Sequence, residues 1–359
     1  MTVNRPSVYI EGIAIDIGWA DATRSLTEVI FSTTRRAIDE GKKGLETIDS
    51  VVLAAHDMVD GRSLSSMVTG PAAGSYLRDE TRYSDDGAAA FAAAVTRIEA
   101  KESTRSIVAA WACASEHDVE AVARATFDPF FASPFGIDEL QVAAMRAQAW
   151  MRMGGDVAAR DDAGQRRIGA ARANPRALKM GGRHPVASYP LGEADMPRWA
   201  DIAVSLTISA EPSAVRVAGI GQSSEPYWIG DRKLGRLAGL EQAAQRALSE
   251  AGVGPQQLDV VEIDGLTLFD EAIGMEAVGI AQRGGGMRFR ATDPRSNPSG
   301  GAAAGYCAPA MGLARIVEAV MQLQGRAGAI QVLGARRALA TGSCVVAAQT
   351  HTAVVLEAT

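Results

Sequence analysis

The sequence predicts an α/β fold built from two copies of one unit. Three observations carry this: an internal repeat, continuous apolar runs of strand length, and one helix made almost wholly of alanine. The run RAIDEGKKGLETIDSVV starting at Arg36 aligns without a gap with RALSEAGVGPQQLDVVE starting at Arg246, an offset of 246 − 36 = 210 residues. Identical residues recur at Ala37 and Ala247, Glu40 and Glu250, Gly44 and Gly254, Asp49 and Asp259, and Val51 and Val261. Each copy reads as an amphipathic helix, a glycine-bearing turn and a buried strand, so two similar units are expected to pack together, with function where they meet.

In chain order, residues 7–15 read as a first strand, 25–40 as a helix and 50–55 as a second strand, since unbroken apolar runs mark strands covered on both faces. Residues 87–99 (GAAAFAAAVTRIE) form a helix with small side chains on every side, suited to a crowded interior because alanine lets backbones approach closely. A strand follows at 106–112. From about 116 to 200 the text turns polar, with helices at 138–153 and 156–172, and reads as a surface excursion. Strand character returns at 201–209, Glu211-Pro212-Ser213 breaks it, and a new strand starts at 215–221. The boundary is placed there, giving an N-terminal half of 1–212 and a C-terminal half of 213–359. The second half runs helix 236–251, strand 258–263, helix 269–279, a glycine-rich loop, helix 311–324 and strands 336–346 and 352–357.

The net charge of −6 with no concentrated basic patch argues against nucleic acid and anionic membrane as partners. Cys113, Cys307 and Cys344, odd in number and widely spaced, suit a reducing compartment. The opening residues lack a signal-like apolar run and no apolar stretch approaches the roughly 18 residues of a membrane span. The expectation is a cytoplasmic protein. His56, His117, His184 and His351 lie far apart with no ligand-spaced Cys or acid, so no metal site is read. Gly219-Ile220-Gly221 begins a dinucleotide-like fingerprint but runs into a Pro-bearing loop, so it is set aside.

The run NPSGGAAAG at Asn297–Gly305, followed by Tyr306, Cys307, Ala308 and Pro309 before a helix, resembles the Asn-x-Ser-Gly-Gly loop of the thiolase superfamily. Asp259–Gly279 is similar in length and apolar pattern to the segment carrying that family's His-Asp-x-Phe or Asn-Glu-x-Phe motif. Ser84-Asp85-Asp86-Gly87 falls where the family shows Cys-x-Ser-Gly, and Cys344-Val345-Val346-Ala347-Ala348-Gln349 looks like a worn Cys-x-Gly-Gly-Gly-Gln. The resemblance is nearest to short sterol-carrier-type thiolases. It implies a thiolase fold: two repeated βαβαβαββ halves in a five-layer αβαβα sandwich around paired central helices.

The same resemblance places the reactive groups and shows them changed. Ser84 stands at the nucleophile position, where a hydroxyl is far weaker than a thiol near neutral pH. The simpler reading is that Ser84, Asp85 and Asp86 cap the following helix, where carboxylates neutralise its positive end. The family's Gly-His-Pro becomes Gly305-Tyr306-Cys307-Ala308-Pro309, one residue out of step and without an imidazole. Asp264 takes an oxyanion position, and an ionised carboxylate cannot donate a hydrogen bond. Cys344 matches the family's second cysteine, either as an acid/base or as a packed thiol. Tyr306 either fills the space of the lost histidine or acts as an acid, as tyrosines do in some thiolase-like aldolases that lack the nucleophilic Cys. For coenzyme A (CoA), Arg160, Arg166, Arg167 and Arg172 could cradle phosphates, with Asn297, Gly300 and Gly301 of the loop beside them; a solvated helix face is the plainer account of the arginines.

Three functions follow from the resemblance. The first is a thiolase-like subunit of a heteromeric acyl-CoA thiolase or acyltransferase, itself non-catalytic and paired with a catalytic thiolase-like chain, with a dimer through the central sheet. The second is a remodelled aldolase or acyltransferase on a CoA thioester, with Tyr306 as acid/base and Asp264 or Cys344 as proton carrier. The third is a scaffold or acyl-CoA-binding module that holds a small zinc-ribbon/OB-fold protein. None requires a tightly bound cofactor.

Overall fold

In the computed structural model the described residues are 6–60, 65–84, 86–344 and 347–359. Asp85, Val345 and Val346 lie outside them. The chain runs β1 (Tyr9–Gly18), α1 (Leu26–Glu40), β2 (Ser50–Ala54), two short helices α2 (Asp57–Asp60) and α3 (Ser65–Thr69), β3 (Asp79–Tyr83), α4 (Gly87–Glu99) and β4 (Arg105–Cys113). The excursion carries α5 (Val119–Thr126), α6 (Glu139–Arg152) and α7 (Arg160–Ala173) before the return strand β5 (Asp201–Ser209). Then come β6 (Val215–Ser224), α8 (Ala238–Ala251), β7 (Val260–Glu262), α9 (Leu268–Val278), α10 (Gly286–Thr292), α11 (Ala308–Leu323), β8 (Arg337–Ser343) and β9 (Thr350–Ala358).

The strands form one mixed nine-stranded sheet in the order β3-β2-β4-β5-β1-β6-β9-β8-β7. Its two parts are joined by a short antiparallel contact, Tyr9 opposite Arg216 and Ile10 opposite Val215. Strand alternation sorts the side chains into separate layers. Val51 and Leu53 pack with Leu26, Ile30 and Ile38 of α1, whereas Val52 and Ala54 pack with the alanines of α4 and with α11. In the second part Val261, Leu339, Ala353 and Val355 pack with α8, and Val260, Ala338, Ala340 and Val354 turn to the central helices. Helices α4 and α11 pack on each other and touch strands of both parts, so the alanine helix occupies the crowded interior that its composition implies.

The repeat has a physical basis in both copies. β1 and β6 each carry a register shift, between Ile10 and Gly12 and between Val217 and Gly219. The glycine after each shift lies so close to the packed helix that a Cβ would collide with the carbonyl oxygen of Ala37 in one copy and Ala247 in the other. The glycines are therefore needed for helix and strand to approach, and the matched alanines are fully buried at the same contact. Asp49 accepts from the backbone N–H of Thr104 and Arg105 at 2.7 and 3.3 Å, and Asp259 accepts from Arg336 and Arg337 at 2.8 and 2.9 Å. Each aspartate thus ties the start of one strand to the start of its neighbour.

Four points need correction. Among the described residues the second half has four strands rather than the five that the resemblance implies. Where the first half has β3, the second has residues 293–305, which meet β7 through the single bridge of Val261 to Ser296. Pro298 has no N–H to offer a ladder, and Gly300 adopts a left-handed φ of 93°, so pairing stops there. The glycine-rich loop also yields to α10, and α11 begins at Ala308 rather than 311, with Pro309 in its first turn. β3 (DETRY) has no apolar run because it is an edge strand, charged and partly exposed.

Candidate functional site

A narrow, partly open cavity lies where the excursion meets the second half. Its walls come from α5 and α6, from the end of β7 with the turn into α9, from Tyr306–Ala308 leading into α11, and from the ends of β8 and β9. Asp264, Tyr306 and Cys344 all line it. Ser84 does not: it is exposed.

Asp264 is placed by its neighbours on three sides. The side chain of Asn297 bonds both backbone groups of Ile263, accepting from its N–H at 2.7 Å and donating to its carbonyl at 3.1 Å. The N–H of Asp264 donates to Thr341 Oγ1 at 2.8 Å, and its Oδ2 accepts from the N–H and hydroxyl of Ser343 at 3.0 and 3.1 Å. Oδ1 is buried with no hydrogen-bond partner among the described residues. Burial pushes the carboxyl up to about 7; Arg315 and the two Ser343 bonds oppose the rise, and Asp270 adds to it. Near neutral pH this residue therefore samples both protonation states, and its neutral form can donate a hydrogen bond. That removes the objection that an aspartate here cannot serve an oxygen.

Tyr306 is buried against Trp199, with ring centres 5.7 Å apart. Burial first, and the charge of Asp264 next, push its phenol well above the usual 10, so it stays protonated. Cys344 accepts at sulfur from the N–H of Gln349 and Thr350 at 3.2 and 3.3 Å.

The cavity also gathers groups that no sequence motif brought forward. Arg146 donates to Asp270 at 2.8 Å and Glu139 at 3.0 Å, an internal ion triad in the wall. Burial raises the Glu139 carboxyl and Arg146 counters it. His351, opposite Ser343 in the β8/β9 register, is pushed down to about 3 by burial and then by Arg146 and Arg232, so its ring is neutral. His117 also lines the cavity, and burial lowers it too. Sequence spacing could not assemble these residues, because strand register and helix packing bring them together.

The helix-capping reading of the Ser84 region describes Asp86. This buried residue is the N-cap of α4, accepting from Ala88 N–H at 2.9 Å, and its second oxygen accepts from Gly312 N–H of α11 at 3.0 Å. Gly312 and Gly342 leave the room that this carboxylate fills. Asp86 thereby ties the start of α4 to the second turn of α11.

The residues suggested for CoA are largely committed elsewhere. Arg167 is fully buried, bonded to Glu271 at 2.8 Å, and Arg290 holds the other oxygen of Glu271 at 2.7 Å. Arg160 pairs with Asp195 and lies over the Phe269 ring at 5.2 Å. Arg166 is half-buried and donates to the Arg290 carbonyl at 3.2 Å. Asn297 is buried in its clamp, and Gly300 and Gly301 pack against Ala171 and Glu271. These contacts make the loop a support of the cavity, turned inward. Among the described residues no group of three or more His, Cys, Asp or Glu is placed to hold a metal, and no helix is long and apolar enough to cross a membrane.

Residues 221–357 match the family described as thiolase C-terminal domain-like. Sterol carrier protein 2 of Bos taurus is 35% identical over 107 residues, covering 28% of this chain and 20% of that protein. Acetyl-CoA acetyltransferase of Methanothermobacter thermautotrophicus is 33% identical over 130 residues, covering 34% of this chain and 34% of that protein. The aligned part thus spans about a fifth to a third of the length of these relatives. Among solved structures, the Ltp2-ChsH2(DUF35) aldolase has a TM-score of 0.77 at 17% identity, covering 98% of both chains. Human mitochondrial 3-ketoacyl-CoA thiolase has a TM-score of 0.72 at 14% identity, covering 99% of both. These matches give a relationship to the thiolase superfamily and a shared fold.

Proposed function

We propose that this chain is a thiolase-like subunit that makes or breaks carbon–carbon bonds on CoA thioesters by acid–base chemistry, without an acyl-enzyme, in assembly with a second chain. One observation carries the reading: Asp264 and Tyr306 share a cavity while Ser84, at the nucleophile position, is exposed outside it. On a 3-hydroxyacyl thioester, ionised Asp264 takes the hydroxyl proton. The bond between C2 and C3 breaks, its electron pair passes to C2 and the thioester oxygen, and C3 becomes a carbonyl. The Tyr306 phenol, held protonated, donates a hydrogen bond to the thioester oxygen as charge collects there, and the proton on Asp264 passes to C2. Atoms and charge balance without an oxidant or cofactor. The names of the relatives, an aldolase and CoA-thioester enzymes, support the bond type and the ligand. Partnership with a catalytic thiolase-like chain or a zinc-ribbon/OB-fold protein, a dimer through the sheet and a cytoplasmic setting belong to the same proposal.

The test is cleavage of 3-hydroxyacyl-CoA by the chain co-expressed with its neighbouring gene products. Tyr306→Phe and Asp264→Asn should each reduce turnover by about 10² to 10⁴, and Ser84→Ala should leave it unchanged. A second reading, a non-catalytic subunit, is favoured by Ser84, which is exposed outside the cavity, and by Asp86, whose carboxyl is committed to the amides of Ala88 and Gly312. Equal activity of the complex with all three variants would decide for it.

A further inference from the structure

Asp264 is asymmetric in its surroundings. Oδ2 receives two donors from one residue, Ser343, while Oδ1 receives none among the described residues. A buried acceptor without a partner is costly, and native interiors keep few of them, so an orphan on a cavity-lining carboxyl marks where a ligand atom completes the bonding. Ser343 is well placed to create this asymmetry. It ends β8, two residues beyond Thr341, whose hydroxyl fixes the Asp264 backbone. Side chains at positions i and i+2 of a strand share a face, so Thr341 and Ser343 present two hydroxyls to the same residue.

We propose that Ser343 is a positioning residue of this site: with its N–H and its hydroxyl together it commits Oδ2 of Asp264 to the strand and leaves Oδ1 as the atom that exchanges a proton with the substrate. The inference rests on the acid–base reading of the cavity and adds to it the residue that governs the acid. The surroundings of Asp264 are mixed in charge. Arg315 of α11 favours its ionised form, Asp270 of α9 opposes it, and Tyr306, Glu139, Arg146, Cys344 and His351 line the same cavity. Within that field the serine hydroxyl is the neutral, replaceable contributor. Donors to a carboxylate favour its charged form, so removing the hydroxyl moves the titration of Asp264 upward, by about one pH unit with the backbone donor still in place.

The experiment follows the Asp264 carboxyl by difference infrared titration of the full chain, with Asp264→Asn as the blank, in wild type, Ser343→Ala and Ser343→Thr. Ser343→Ala should titrate about one pH unit higher, and Ser343→Thr, which keeps a hydroxyl, should return to the wild-type position. The acid limb of kcat/KM for 3-hydroxyacyl-CoA should move with it. An Asp264 titration unchanged in Ser343→Ala overturns the proposal, as does a shift that Ser343→Thr fails to restore. Failure of the functional reading looks different: the infrared shift and its rescue persist while no CoA thioester is cleaved by any form, including the co-expressed complex.

Discussion

Replacing Asp264 by asparagine should make the protein more stable in alkaline solution while disabling it. The carboxyl lies at about 7 in the folded chain against an ordinary value of 3.8. At about 1.4 kcal/mol per pH unit, that displacement is about 4 kcal/mol. Because the folded state holds its proton more tightly than the unfolded chain, the folded state binds more protons between pH 4 and 7. Stability therefore falls as pH rises through that window, and the full cost is reached near pH 8. Asparagine has nearly the same shape, retains an oxygen for the two Ser343 donors and never ionises. Urea unfolding of both proteins at several pH values measures the gap. The two should nearly coincide at pH 4, and the variant should be ahead by about 4 kcal/mol at pH 8. A gap that stays constant from pH 4 to 8 would falsify the assignment of Asp264 as a strained, proton-holding acid.

Two further substitutions probe the supports of the site. Gly342→Ala puts a methyl against the Asp86 carboxylate and Ala88, with no flexible side chain to yield, and should lower stability by about 1–3 kcal/mol in chemical denaturation. Arg167→Ala leaves Glu271 with Arg290 alone in a fully buried position and should cost about 3–5 kcal/mol. If Arg167 instead served only a ligand phosphate, the same variant would lose CoA affinity in calorimetry at unchanged stability.

The fold was legible in the sequence where local pattern and packing agree. Asp49 and Asp259 recur because each ties two strand starts together, and Ala37 and Ala247 recur at fully buried positions whose carbonyls lie against a strand glycine. The charged edge strand β3 gave no apolar signal, and nothing local announced that its counterpart in the second half had shrunk to one bridge. At the site, Asp264, Tyr306 and Cys344 were found through motif positions, since all three lie at ends of elements near the loop and strands that carry those motifs. Ser84 held a motif position too, but Asp86 turns inward to cap the helix while Ser84 is left outside. His351, Ser343 and the triad of Arg146, Glu139 and Asp270 were invisible because neighbouring strands or packed helices join them, and neither leaves a fixed spacing. The raised acid of Asp264 was hidden for a related reason: burial is a property of the assembled walls.

The loop Asn297–Gly301 shows how the loss of a strand and the making of a site are connected. With the fifth strand gone, the N–H and carbonyl of Ile263 lack a full ladder partner, and both are supplied by the amide of Asn297 in a residue at φ 39°. Asparagine suits this because its side chain imitates a peptide group and it tolerates a left-handed backbone better than most residues. Asn297→Gly relieves the backbone but removes both bonds, leaving two buried groups unpaired at about 1–3 kcal/mol each. Asn297→Ala has the same loss and adds about 1–2 kcal/mol of backbone strain. Denaturation should therefore rank wild type above glycine and glycine above alanine. Because Ile263 precedes Asp264, both variants should also blur the Asp264 titration, which a support remote from the acid would not do. If Asn297→Gly matched wild type in stability and titration, the clamp would contribute nothing, and the position of Asp264 would have to be set by β8 alone.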